Sequence, residues 1–488
     1  DGEVRKLQNK LRQIENLGDP NFQLAELLLQ HSGPQQTHGI EVTEQRVVAC
    51  HPVLKIAREE RRENERSDGS QTDGRGETHL PVSPSVEVQE DAEFKSRQQT
   101  WEKAKFRLRT LEGHSDIITC VVAVDNLVIS GSRDTTVKVW HVPTATEQRN
   151  LGGHSGGVTC LSAPPPEYCR RLARAFDLTD RERIVLSGST DCCVRIWALS
   201  SGQCVKSIYT FNAVSSLCFI AEGEGFIVTG SGSYPCLQVW SWRSQENCQS
   251  VNAHLDAVTT LQSQGPLLFS GSAEGCVCVW EVSDEGPEPL HRLHIWGPEV
   301  TGCSGDDGRL ILSPRGDRVF LSCRKASIQI LNWRTGVMTR LTNHSSTAGV
   351  TDCVNQIPGL LIGSCFDITN GESAINLFSL PQCKYLVSLT SSDLPRILCF
   401  AAWLTASGDH RWVTGGRDLI VWEQLPGSFK KRGDVTVRRD SRLDCLLDSD
   451  RDSDDEQSEV NDDEDSIPQD ASETEEPASS SWLRCVLQ

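Results

Sequence analysis

Methionine occurs once in this 488-residue chain, at Met338, and tyrosine four times. The first residue is Asp1, so the natural start is expected upstream, with any targeting signal or further domain it carries. No apolar run reaches the length needed to cross a bilayer, which excludes a spanning helix within the sequence. There is no Gly-rich phosphate loop and no isolated nucleophile in an unusual setting. Basic charge is also in short supply: 48 Lys and Arg stand against 67 Asp and Glu. That balance argues against broad electrostatic affinity for nucleic acid.

The negative charge is concentrated. Between Asp440 and Ser479 lie 17 acidic residues and only two basic ones, Arg442 and Arg451, so most of the net charge of −19 sits there. The 20 cysteines carry no CxxC pair and no Cys/His grouping at zinc spacing. Many of them, including Cys120, Cys160, Cys218, Cys276, Cys278 and Cys353, fall inside apolar strand-like runs. Buried, reduced thiols are the expected reading, which points to the cytoplasm or nucleus. No cofactor, metal or small-molecule substrate is expected.

What the sequence does have is a repeat. Residues 113–140 read GHSDIITCVVAVDNLVISGSRDTTVKVW: a Gly-His pair, then three short strand-like runs, the last ending on Trp140. Similar units end at Trp197, Trp240, Trp280, Trp333, Phe378 and Trp422, at intervals of 40 to 57 residues. The fifth and sixth copies depart most from the pattern. A period near 40–45 with a GH…W signature marks a propeller of four-stranded blades. Over roughly residues 105–425 the chain resembles the WD40 family. The resemblance implies an all-β, seven-bladed WD40 β-propeller, with a helical or disordered N-terminal extension and a disordered acidic C-terminal tail. It also implies that a strand from the N-terminal side closes the last blade, and Phe106 to Leu111 alternates suitably for that role.

The family's buried tetrad can be carried over copy by copy. It would comprise His114, Ser130, Asp134 and Trp140 in copy 1, and His154, Ser187, Asp191 and Trp197 in copy 2. Copy 4 offers His254, Ser270, Glu274 and Trp280, with Glu in place of Asp; copy 7 keeps Thr414, Asp418 and Trp422 without a histidine. These residue types resemble a catalytic triad, but a triad occurs once and this set recurs. A mutually satisfied structural group is therefore the expectation, and no catalytic residue is assigned. An interaction face beside the tetrads is expected to use Ser115, Asp116, Arg133, Trp296, Arg324, Lys325 and Arg417, since Arg and Trp are frequent interface anchors.

The remaining segments divide as follows. Residues 1–66 read as a helical N-terminal segment. Val4, Leu7, Leu11 and Ile14 form an apolar stripe within 4–17 that suits packing or a short coiled coil. The stretch KLQNKLRQIENL also resembles the terminal helix with which translation initiation factor 2A and an exon-junction disassembly factor engage ribosomes, although it breaks off at Gly18. Residues 67–104 are expected to be a disordered linker, 105–425 the propeller, and 426–488 a basic, then acidic, disordered tail. Insertions at 162–183, where CRRLARAF suggests a short basic helix, and at 282–308 are either binding excursions or ordinary loops. In the tail, Lys430-Lys431-Arg432 is a poor nuclear-import signal. Ser453, followed by three acidic residues, resembles an acid-directed kinase site, and the terminal Cys485-Val486-Leu487-Gln488 matches a prenylation pattern. Membrane attachment would depend on Cys485, against the repulsion of the acidic tail.

A non-catalytic scaffold that binds protein or peptide partners on the propeller face is the leading expectation. The alternatives are a substrate-recruiting subunit of a ubiquitin ligase and a ribosome- or RNA-associated factor acting through the basic helix. The Trp-Asp-x-Arg sequence with which some family members dock a cullin adaptor is missing: the strand ends read VWHV, IWAL, VWEV and VWEQ.

Overall fold

The computed structural model describes residues 86–448, apart from 285, 287, 304–308, 430–432 and 444–445. The expected N-terminal helical segment, the basic run at 430–432, Ser453 and Cys485 lie outside the described residues.

Apolar stretches such as IVLSGS, Ile184–Ser189, are buried along their whole length. That is the signature of a strand covered on both faces. Seven antiparallel sheets result. Blade 1 consists of Ile118–Val124, Leu127–Ser132, Val137–His141 and Thr146–Leu151, hydrogen-bonded in chain order. Blades 2, 3 and 4 repeat this plan, starting at Val158, Val214 and Val258. Blade 5 starts at Ile311, and blade 6 is built around Leu360–Asp367 and Ser373–Ser379. Blade 7 is Ile397–Leu404, His410–Gly416 and Ile420–Leu425.

The innermost strands touch in cyclic order, blade 7 against blade 1 included. Apolar side chains fill the spaces between sheets. Ile129, Val137 and Val139 of blade 1, for example, pack with Val158, Val185 and Trp197 of blade 2. Each such side chain contributes about 1.5–3 kcal/mol of burial. Sheet packing this close needs a gap in the side-chain layer: a Cβ on Gly131 would lie 2.5 Å from Val158 Cγ1.

Ring closure uses Lys105–Thr110, which runs antiparallel to Ile420–Leu425 from Lys105↔Leu425 to Thr110↔Ile420. The join is pinned by Glu423, only 3% exposed. Its carboxylate accepts from Arg107 at 2.6 and 3.0 Å and from Arg109 at 2.7 Å.

Two boundaries differ from the sequence expectation. The linker assigned to 67–104 contains a helix, α1, at Val86–Glu102. Trp101 packs into the blade 6–7 core, and Gln98 donates to the Tyr385 and Leu386 carbonyls at 3.3 and 3.4 Å. The tail assigned as disordered from 426 contributes two short strands. Thr436–Arg438 extends the outer edge of blade 6, and Leu446–Asp448 extends that of blade 5. An exposed strand edge has unpaired amides that a passing segment can satisfy. The insertion in blade 2 forms α2, Pro166–Ala175, with proline in its first turn and Cys169, Leu172 and Ala173 buried.

Candidate functional site

The Gly-His pair precedes the first strand of blade 1, and the Ser and Trp lie across from it on the second and third strands. His114 Nε2 is 2.7 Å from Ser130 Oγ, and Nδ1 is 2.7 Å from Asp134 Oδ2. The Trp140 indole N–H donates to the same Ser130 Oγ at 2.8 Å. Blade 2 repeats the set: His154 is 2.7 Å from Ser187 and 2.9 Å from Asp191, and Trp197 donates to Ser187 at 2.8 Å. The neighbouring glycine is required by close approach, since a Cβ on Gly113 would sit 2.9 Å from the Trp140 ring. Burial depresses the pKa of His114 and of His154 despite the facing carboxylates, so both rings are held neutral. Burial acts to raise Asp134. The Thr136 hydroxyl, the Ser115 and Thr136 amides and His114 outweigh it and hold the carboxyl at about 2. Every polar atom of the set is thus occupied by a neighbour, which is the condition for burying it.

Blades 3 and 7 keep only part of the set. Trp240 donates to Thr229 and Trp422 to Thr414, both at 3.1 Å. Blade 6 has a different polar core. Asn343, fully buried, donates to Thr351 Oγ1 and the Ser364 carbonyl at 2.8 Å, and Asn376 accepts from Ser388 at 2.6 Å.

One end of the ring is built from the loops entering each first strand and those joining second to third strands. Ser115 and Asp116 are exposed there, and Arg133 lies 3.9 Å from Asp116. Arg324 is 3.9 Å from Asp352, Lys325 donates to the Gly302 carbonyl at 2.6 Å, and Arg417 is exposed. Trp296 is not part of this face. Its indole donates to the Trp333 carbonyl at 2.9 Å and packs beside Gly336, between blades 4 and 5. Sequence reasoning missed Asp352 and Arg396, which form a two-point ion pair at 2.6 and 2.9 Å. It also missed four large apolar side chains on the same end of blades 2–4: Tyr209, Phe211, Tyr234 and Leu255, exposed by 56, 73, 62 and 91%. Tyr209 and Phe211 meet edge-on at 5.1 Å. The Ala253 and His254 amides bond the Pro235 carbonyl, which brings the Tyr234 and Leu255 loops together. One signal was available: Leu255 follows its histidine where Ser115 and Ser155 stand in blades 1 and 2.

The model of the WD domain, G-beta repeat matches residues 105–141, 145–198 and 245–281, which are the segments that carry the two complete tetrads and blade 4. The chain is a WD40-repeat propeller. Its relatives include the human kinesin-like protein KIF21A, 25% identical over 236 residues, 45% of this chain and 13% of that one. Cell division control protein 4 of Saccharomyces cerevisiae is 27% identical over 322 residues, 59% of this chain and 36% of that one. The small ribosomal subunit protein RACK1 of Drosophila melanogaster is 22% identical over 199 residues, 38% and 57% respectively. This chain therefore spans about half or less of the length of these relatives. Propellers of this family generally serve as interaction scaffolds.

Within the WD40 repeats, blade 4 breaks the tetrad. His254 is 2.8 Å from Ser270, and Trp280 donates to Ser270 at 2.9 Å. The Glu274 carboxylate, one methylene longer than Asp, passes the ring. It stays 3.8 Å from His254 Nδ1 and accepts from the Leu255 amide at 2.9 Å. Facing Nδ1 instead are two thiols. The ligand atoms of His254, Cys276 and Cys278 all lie within 4.8 Å of one another. The sequence search for Cys/His groupings at zinc spacing could not find this set, because the fold rather than a local motif joins residues 254 and 276. Cys276 ionises before Cys278: the Cys278 thiol, and then His254, stabilise its thiolate, whereas the hydrogen bond to Cys276, and then burial, push Cys278 up.

Proposed function

We propose that this propeller is a non-catalytic scaffold that binds a protein or peptide through the apolar arc of Tyr209, Phe211, Tyr234 and Leu255. The observation that carries the reading is their exposure, 56–91%, on one end of the ring. Large apolar side chains held in water mark contact surfaces when they cluster, and aromatic anchors dominate binding energy. Phe211 also adopts φ 66°, a left-handed conformation that costs a bulky residue on the order of 1–3 kcal/mol. The arginines of blades 1, 5 and 7 add charged positions on the same end, suited to acidic flanks of such a partner. The burial of thiols such as Cys169, Cys218 and Cys276 in the apolar interior, with no disulfide on any of them, fits a reducing compartment, cytoplasm or nucleus.

A second reading, ribosome association, is favoured by the RACK1 alignment and the basic stretch at 5–16. Affinity purification with mass spectrometry tests both. The intact chain is compared with Phe211→Ser/Leu255→Ser, with Arg133→Glu/Arg417→Glu and with a form lacking residues 1–30. Partners lost with Phe211→Ser/Leu255→Ser support the apolar arc, and cullin components among them would assign a ubiquitin-ligase role. Ribosomal proteins lost only with the deletion would put the second reading first. A list that no surface variant changes sinks the scaffold face.

A further inference from the structure

We propose that His254, Cys276 and Cys278 form a zinc site in blade 4, completed by the Glu274 carboxylate. The strand period places the two thiols. Cys276 and Cys278 lie two residues apart, so their side chains share one face. Both join Trp280 and Leu268 in one core cluster, while Val277 and Val279 between them face the next blade. His254 is delivered from the loop before the first strand of the same blade.

The donor set is chemically specific. Two sulfurs and an imidazole suit a soft or borderline cation, and zinc takes such ligands in tetrahedral geometry. Zn–S bonds of about 2.3 Å and Zn–N bonds of about 2.0 Å imply an N···S edge of about 3.5 Å. His254 Nδ1 is 4.0 Å from Cys278 Sγ, and the three ligand atoms span no more than 4.8 Å, so closing around an ion needs shifts of a few tenths of an ångström to about 1 Å. Glu274, 3.8 Å from the same nitrogen, stands where a fourth ligand belongs.

Burial selects the charge of the cation. His254, Cys276 and Cys278 are 7, 5 and 0% exposed, and an uncompensated charge there is costly. Zinc bound by two thiolates and a neutral imidazole is a neutral unit, formed as the two thiols release their protons to solvent; the Glu274 carboxylate then adds one negative charge at the rim of the site, where its side chain is 20% exposed. A monovalent cation on the same two thiolates would leave a buried negative charge. Glu274, with its side chain 20% exposed, marks the route by which ion and protons exchange.

The outer contacts orient the ring for this role. Metal-bound histidines generally engage their second nitrogen in a hydrogen bond that fixes the ring. His254 Nε2 already lies 2.8 Å from Ser270 Oγ. Ser270 has lone pairs for that N–H and for the Trp280 indole, which fixes Nδ1 toward the sulfurs. Blades 1 and 2 lack this opportunity. At the positions of Cys276 and Cys278 they carry Thr136 with Lys138, and Cys193 with Arg195, and in both the aspartate occupies Nδ1.

The test uses the full chain, purified under reducing conditions. Metal content is measured by mass spectrometry, and cobalt(II) is titrated into chelator-treated protein. The expected result is about one zinc per chain and a thiolate-to-cobalt charge-transfer band of a tetrahedral site. Cys276→Thr introduces the residue that blade 1 tolerates there, which guards against misfolding, and Cys169→Ser is the control thiol. Cys276→Thr should lower zinc affinity by about 100-fold or more and remove the band, while Cys169→Ser leaves both unchanged. Glu274→Asp, whose shorter carboxylate competes for Nδ1, should weaken zinc binding in a protein that remains folded. Wild-type protein with no zinc and no cobalt–thiolate band, equal binding by Cys276→Thr, or a Cys276–Cys278 disulfide in the reduced preparation would each overturn the proposal.

Discussion

Blades 1 and 4 share the same four-strand plan and the same His-Ser-Trp contacts, yet one histidine is closed off and the other is not. In blade 1, Asp134 sits 2.7 Å from His114 and accepts from the Ser115 amide at 3.0 Å. In blade 4, Glu274 keeps the equivalent amide, Leu255, at 2.9 Å but stands 3.8 Å from the ring. A single methylene therefore separates a saturated structural tetrad from a histidine with a free coordination direction. The two neighbouring substitutions, thiols for Thr136 and Lys138, decide what that direction faces. Repetition of a unit does not imply repetition of its chemistry: a fold that tolerates a side-chain change at one blade can host a new site there while the others hold the ring together.

The largest expected difference between the two blades is the cost of removing the acid. Asp134→Ala strips a buried histidine, two amides and the Thr136 hydroxyl of their acceptor, and leaving such groups unsatisfied should cost about 3 kcal/mol. Glu274→Ala loses mainly the Leu255 amide contact and should cost about 1 kcal/mol. Denaturant unfolding of the two variants compares them, and equal losses would contradict the geometry.

Acid should separate them next. His114 and His154 have depressed pKa values in the folded state, so the stability tied to their neutral forms is present above about pH 6.5 and declines as pH falls below it. Asp134, at about 2 against 3.8 for the free side chain, adds stability that is full above pH 4 and is lost between about pH 4 and 2, worth about 2 kcal/mol. The stability gap between wild type and Asp134→Asn should therefore narrow as the pH is lowered from 5 to 2. A gap that stays constant over that window would show that the aspartate is not held ionised by its neighbours.

The regular blades were legible in the sequence because their constraints are local and repeated. Gly113 must clear a tryptophan ring, the Ser and Trp must meet across adjacent strands, and these needs recur at a visible spacing. Blade 6 was blurred because its polar core is built from Asn343 and Asn376, which carry no such signature. Helix α1 read as a linker because VEVQEDAEFKSRQQTWE is mostly polar, and its docking rests on few residues, chiefly Trp101 and Gln98. The strands at 436–438 and 446–448 are legible only from the edges they cover. The apolar arc and the thiol–imidazole cluster share a cause: both depend on which loops meet in space, and His254 and Cys276, 22 positions apart, stand at the entries to the first and third strands of blade 4, which are joined through the second. Trp296 failed in the opposite sense, since an interface-like residue in an insertion was taken up by the neighbouring blade.

The smallest effect sharpens the comparison most, because it converts one blade into the other. Glu274→Asp shortens the side chain by the methylene that carries the carboxylate past the ring. If the backbone of blade 4 matches that of blade 1, the aspartate should reach His254 Nδ1 and close a fourth side of the tetrad. The gain is one hydrogen bond to a buried group, offset by the loss of the Ser272 hydroxyl contact at 3.1 Å, for a net stabilisation of about 1 kcal/mol. Thermal unfolding in the presence of chelator isolates this effect from any bound metal. A rise in melting temperature would mean that blade 4 departs from its neighbours by side-chain length alone. No change, or a fall, would mean that the thiols at 276 and 278 have reshaped the pocket so that the shorter acid no longer fits it, and the divergence of the blade would lie in its cysteines rather than in its glutamate.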